Sequence, residues 1–112
     1  MRLEARKYLY DIEEAASLAA QFTANKDFAQ YERDPMLRFA VERAFAIIGE
    51  ALAQLARVDA TLTARITDFR NIVAFRNILV HAYAQIDNRI VWEIAQFKLP
   101  VLIREVAVLM SE

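Results

Sequence analysis

One glycine, two prolines and no cysteine in 112 residues leave this chain very few ways to turn. Sandwiches and barrels need turn residues throughout, and a phosphate-cradling loop needs several glycines, so those architectures are excluded. The missing cysteines remove disulfides, thiolate metal sites and cysteine nucleophiles. A single histidine, His81, rules out a multi-histidine metal centre. No metal or cofactor is therefore expected. No apolar run approaches the roughly 18 residues of a membrane span, and residues 1–10 do not read as a leader. The expectation is one soluble, cytoplasmic, all-α domain over residues 1–112, with no membrane association.

Hydrophobic residues make up 57% of the chain, rich for its size, which points to apolar surface buried against a partner. The formal net charge is −1, so any nucleic-acid site must be local rather than spread over the molecule.

Periodicity divides the chain into four helical stretches. The first spans 2–24, with Tyr8, Ile12, Ala15, Ala19 and Phe22 on its apolar face. Asn25, Lys26 and Asp27 stop it, and residues 28–33 read as a connector that keeps two aromatics to pack with. Asp34 as N-cap and Pro35 in the first helical position start the second helix. Its inner face is Leu37, Val41, Ala44, Ile48, Ala51 and Leu55. Gly49 lies inside this helix, where close approach of a neighbouring helix is the simplest reason for it and a ligand the other. Residues 60–67 form a connector with room for one helical turn. The third helix, capped by Asp68 and running to about Tyr83, is apolar nearly all round, with one polar stripe of Arg70, Ala74, Asn77 and His81. A helix of that kind is central or lies at a subunit interface. The fourth runs from Asp87 to about Met110, with Ile90, Ile94, Phe97, Val101 and Val108 inward and a kink near 96–97 caused by Pro100. Short connectors make the whole an antiparallel four-helix bundle.

Two residues stand out chemically. Arg76 falls among Phe69, Val73, Val80 and Tyr83, so it must be paired. Either it makes a structural ion pair with Glu42 or Glu50, or its guanidinium is held ready for a phosphate. His81 is the one side chain whose ordinary pKa suits general acid–base chemistry near neutrality, and the alternative is a helix-end histidine serving the last carbonyls. On an unbroken helix Arg76 and His81 lie about 140° apart, whereas Asn77 and His81 share a face and Tyr83 shares that of Arg76.

The run from Arg76 to Tyr83 reads R-N-x-x-x-H-x-Y. This resembles the R-x4–6-H signature of the HEPN superfamily, and specifically its HepT-like branch. The segment Ile47-Ile48-Gly49-Glu50-Ala51 is similar to that family's second helix, and the spacing to 8–11 and 91–100 fits, so the resemblance covers essentially the whole chain. It departs at Ile66-Thr67-Asp68-Phe69, where the family often has Ile-Pro-Trp. The resemblance implies a four-helix-bundle homodimer that acts as a ribonuclease toxin on tRNA or mRNA without metal, paired with a minimal nucleotidyltransferase antitoxin. It further implies that His81 is the acid–base group, Arg76 the phosphate clamp, Asn77 a polar positioner, and Tyr83 the acceptor of AMP from the antitoxin. Two protomers would supply the two histidines that strand cleavage asks for. A core tyrosine whose hydroxyl meets a buried partner is the other reading of Tyr83, and the two are compatible. Arg65, Arg70, Arg76 and Arg89 could steer RNA, Arg70 foremost because it lies on the His81 stripe. Against this stand a catalytically silent nucleotide- or partner-binding module and a purely structural dimerisation bundle.

Overall fold

The computed structural model describes residues 1–112, and every regular element in it is helical. Helix α1 spans Leu3–Thr23, α2 Phe28–Arg33, α3 Pro35–Val58, α4 Ala60–Thr63, α5 Phe69–His81, α6 Asn88–Glu93 and α7 Leu99–Met110. A 3₁₀ turn, Tyr83–Gln85, follows α5, and a π-helical turn, Ile94–Lys98, joins α6 to α7. The long elements form the expected bundle, with α2 and α4 set into its connections.

The centre is built from α1 and α3, which share the most extensive interface. Its residues are largely small: Ala5, Ala15, Ala16 and Ala19 of α1, with Ala44 and Ala51 of α3, are all buried. Small side chains at the seam let two helix axes approach closely. Leu9, Ile12, Val41, Ile48, Leu52 and Leu55 then fill the core without exposure. The whole apolar face read for α3 is buried. At one end of the bundle, Arg2 donates to the Val58 carbonyl and Arg6 to the Met110 carbonyl, each at 3.4 Å. The start of α1 thus lies beside the ends of α3 and α7, antiparallel to both.

The helix starts follow sequence chemistry. Asp34 accepts from the Leu37 N–H at 3.2 Å with Pro35 in the first turn, and Asp59 accepts from the Leu62 N–H at 3.0 Å. The segment 28–33 is a helix rather than a plain connector. A reciprocal box makes it one: the Gln30 N–H donates to Asp27 and the Asp27 N–H donates to Gln30, both at 2.8 Å. Left-handed Asn25 (φ 61°) ends α1 just before it. This short helix delivers Tyr31 into the core, its ring centroid 5.4 Å from that of Trp92.

Three expectations are corrected. Helix α5 is not central: it packs chiefly against α3 and contains no buried residue. Phe69, Ile72, Val73, Phe75 and Leu79 are half-buried against the core, while Ile78 and Val80 stay exposed. Asp68 precedes α5 but does not cap it through its side chain; it is left-handed (φ 60°) and pairs with Lys98 at 3.0 Å. Glu105 of α7 binds the adjoining residue instead, accepting from the Thr67 N–H at 2.9 Å and its hydroxyl at 2.7 Å. The last helix is interrupted where Pro100 required it, and the Leu99 N–H reaches back to the Ile94 carbonyl. Its inner face is nevertheless Val91, Ala95, Leu99, Leu102, Val106 and Leu109. Ile90, Phe97 and Val108 of the expected face are exposed, Phe97 at 72%. The two stripes are one residue apart and equally apolar, so periodicity could not choose between them.

Candidate active site

Gly49 sets the geometry. A Cβ there would stand 2.3 Å from Cβ and 2.9 Å from Cγ of Arg76, and 3.3 Å from the Ile72 carbonyl oxygen. The missing side chain is what lets α5 cross α3 with the Arg76 stem laid over the α3 backbone. Of the two readings of Gly49, close helix approach is the one found.

The Arg76 head emerges at the edge of this contact, its side chain 25% exposed. It donates to Asn77 Oδ1 at 2.8 Å and to the carboxylate of Glu50, the residue that follows Gly49 on α3. Glu50 is therefore its partner, and Glu42 is not. Glu42 stands near Tyr31, and burial pushes its carboxyl pKa up while Arg38 pulls it down. Arg76 and Glu50 line a groove of about 310 Å³ between α1, α3 and α5, together with Tyr8, Asp11, Arg43 and Gln54. Arg43 and Asp11 were not singled out from the sequence. A signal was present for the first: Arg43, Ile47, Glu50 and Gln54 repeat at steps of four, three and four on α3.

His81 is the last residue of α5 and is exposed. Arg70, Ala74, Asn77 and His81 are all exposed, so the polar stripe faces outward as its pattern implied. The helix is regular to His81 and its geometry changes only at Ala82 (φ −132°, ψ 44°). The angular separation of about 140° between Arg76 and His81 therefore stands, and one chain does not turn the two toward a common point. Tyr83 lies beyond the helix end, in the 3₁₀ turn, with 76% of its surface exposed. It is neither on the Arg76 face nor in the core.

The four arginines do not act as one patch. Arg65 is bound by Glu112, which raises the guanidinium pKa and lowers that of the carboxyl. Arg89 lies 3.8 Å above the Phe28 ring on the α2–α6 side. Arg70 stays near its own helix, 5.4 Å from the Phe69 ring. A smaller, mainly apolar cavity of about 100 Å³ lies behind α5, lined by Phe45, Ile48, Ile72, Phe75 and Leu102, with Lys98 and Asp68 at its polar side.

The family model described as "Ribonuclease HepT-like" matches residues 12–109. A relative from Methanocaldococcus jannaschii, named as a candidate RNase, is 33% identical over 105 residues, 94% of this chain and 95% of its own. One from Thermococcus cleftensis, named as a candidate ribonuclease HepT, is 34% identical over 102 residues, 91% of this chain and 92% of its own. A third, also from M. jannaschii, is 29% identical over all 112 residues but only 50% of its own length; its name joins a gamma-glutamylcyclotransferase to a candidate RNase. No solved structure matches the chain.

Proposed function

This chain belongs to the HepT-like ribonuclease family of the HEPN superfamily, and from that premise we propose that it is a metal-independent endoribonuclease acting as a two-fold dimer. The observation that carries the reading is the exposure of Asn77, His81 and Tyr83 at and just beyond the end of a helix that holds no fully buried residue. Exposure excludes a core role for His81, while its place in the last turn of α5 fits the helix-end alternative as well.

Cleavage of RNA without metal needs a base for the 2′-hydroxyl proton, an acid for the departing 5′-oxygen, and a cation facing the crowded phosphorane. The 2′-oxygen attacks phosphorus, the bond to the 5′-oxygen breaks, and the products are a 2′,3′-cyclic phosphate and a 5′-hydroxyl. His81 moves the protons, Arg76 faces the phosphate and Asn77 supports it. A two-fold dimer formed through the open side of α5, where Ile78 and Val80 are exposed, supplies the second histidine. It also brings one protomer's Arg76 toward its partner's histidine, which the separation along a single helix does not. Tyr83 is accessible to a nucleotidyltransferase antitoxin, and AMP added there would place a phosphate where it repels RNA.

A second reading, a catalytically silent binding module, is favoured by one observation: Arg76 already has a carboxylate partner in Glu50. The two are separated by incubating total cellular RNA with metal-free protein, unmodified at Tyr83, alongside His81→Ala. Discrete fragments ending in 2′,3′-cyclic phosphate, absent from the variant, are expected. A folded, unmodified dimer that leaves RNA intact would refute the ribonuclease and leave the binding module.

A further inference from the structure

We infer that Glu50 is a positioning residue for the Arg76 guanidinium and that Gly49 is the seat that makes the arrangement possible. The consequence for cleavage rests on the ribonuclease reading above; the positioning itself does not.

The geometry assigns three residues to one device. Gly49 removes the atom that would collide with the first two carbons of the Arg76 side chain, so those carbons lie directly on α3. The stem is thereby fixed close to the crossing. Glu50, the next residue on α3, then binds one terminal nitrogen of the guanidinium, and Asn77 binds the other through Oδ1 at 2.8 Å. A guanidinium is planar and carries five N–H donors, so holding both terminal nitrogens fixes its plane and leaves three donors to bind a ligand. Its free edge borders the groove of about 310 Å³ that Arg43 and Asp11 also line.

An arginine on a flexible stem would lose its rotamer freedom each time it met a phosphate, and here that cost is met during folding. Glu50 does this from outside the core, its own side chain 48% exposed, so its role is separable from stability. The carboxylate also offsets part of the positive charge, so it trades phosphate attraction for orientation. Charge and orientation therefore respond differently to two substitutions. Glu50→Gln keeps an acceptor and removes the charge, whereas Glu50→Ala removes both.

The test uses the full chain and two readouts. In ¹⁵N spectra of the arginine side chains, with Arg76 assigned through Arg76→Lys, the wild type should give two resolved terminal nitrogens. Glu50→Ala should merge them by freeing rotation, and Glu50→Gln should keep them apart. In cleavage of a short RNA, Glu50→Ala should lower kcat about ten-fold or more without a change in melting temperature. Glu50→Gln should hold kcat near the wild-type value with a lower KM. Terminal nitrogens already averaged in the wild type, or unaltered in Glu50→Ala, would overturn the assignment. So would equal losses in both variants together with a fall in melting temperature, the signature of a merely structural ion pair. If the wild type does not cleave RNA, the ribonuclease reading fails while the spectra still decide the positioning.

Discussion

Replacing Gly49 by alanine sets two well-known effects against each other, and the structure says which one wins. In a helix interior alanine is favoured over glycine by about 1 kcal/mol, so propensity alone raises stability. At this position the new Cβ would sit 2.3 Å from Arg76 Cβ, and the neighbour must retreat by about 1 Å to reach ordinary contact. Arg76 Cβ is attached to the α5 backbone and no change of rotamer moves it, so the helix itself must shift. Overpacking of this kind costs about 1–3 kcal/mol, and a backbone-anchored overlap belongs near the top of that range. The net effect is a loss of about 1–2 kcal/mol after the propensity gain is credited. For a domain of this size that lowers the melting temperature by about 4–8 °C. Thermal unfolding followed by circular dichroism at one protein concentration measures it directly. A Gly49→Ala protein that melts at or above the wild-type temperature would refute the close approach of α3 and α5, and with it the seat described for Arg76.

Other expectations follow from the same packing. The phase of the last helix predicts that Leu99→Ala costs about 2–5 kcal/mol in urea unfolding, because Leu99 is 2% exposed. Phe97→Ser, two residues earlier, should change the stability of the single chain by no more than about 0.5 kcal/mol. Asp27→Ala removes the carboxylate that accepts from the Gln30 N–H at the start of α2 and should cost about 1 kcal/mol, seen in the same titration. Burial raises the Glu42 pKa in the folded chain, so the folded state holds that proton more tightly than the unfolded one. Its contribution is fully present below the ordinary carboxylate pKa and is lost as pH rises through the raised value. Glu42→Gln should therefore stabilise the protein at pH 7 relative to wild type, and melting curves at pH 4 and pH 7 should show the difference shrinking at the acid end.

Much of this molecule was legible because its signals were local. Asp34-Pro35 marks the start of α3 through chemistry that needs no neighbour, and Pro100 marks the break in the last helix in the same way. Helix α2 was missed although Asp27 and Gln30 carry a recognisable box, because six residues give too short a window for periodicity to register. The inner face of α7 could not be chosen for a different reason. Residues 90–109 offer two apolar stripes, and only the position of α1 decides which is covered. The placement of α5 at the surface depends likewise on which helices stand behind it. In the candidate site, Arg76, Asn77, His81 and Tyr83 were readable as a motif. That Glu50 rather than Glu42 partners Arg76 follows from the Gly49 crossing, a property of two helices together. Arg43 and Asp11 enter only because α1, α3 and α5 converge on one groove.

The open setting of α5 has a consequence for how the protein moves in time. Protection of backbone amides against exchange with solvent grows with the buried surface that must be exposed to free them. The amides of α1 and α3 are released only when the common core comes apart. Those of α5 sit on a helix with no fully buried residue that packs chiefly on α3. This helix can detach and return while the rest of the bundle stays folded. Deuterium uptake should thus separate the molecule into a slow scaffold and a fast helix, and the fast helix is the one that carries the whole R-N-x-x-x-H pattern. A partner that covers α5 would slow its exchange selectively, which makes that single segment a reporter for anything that binds there.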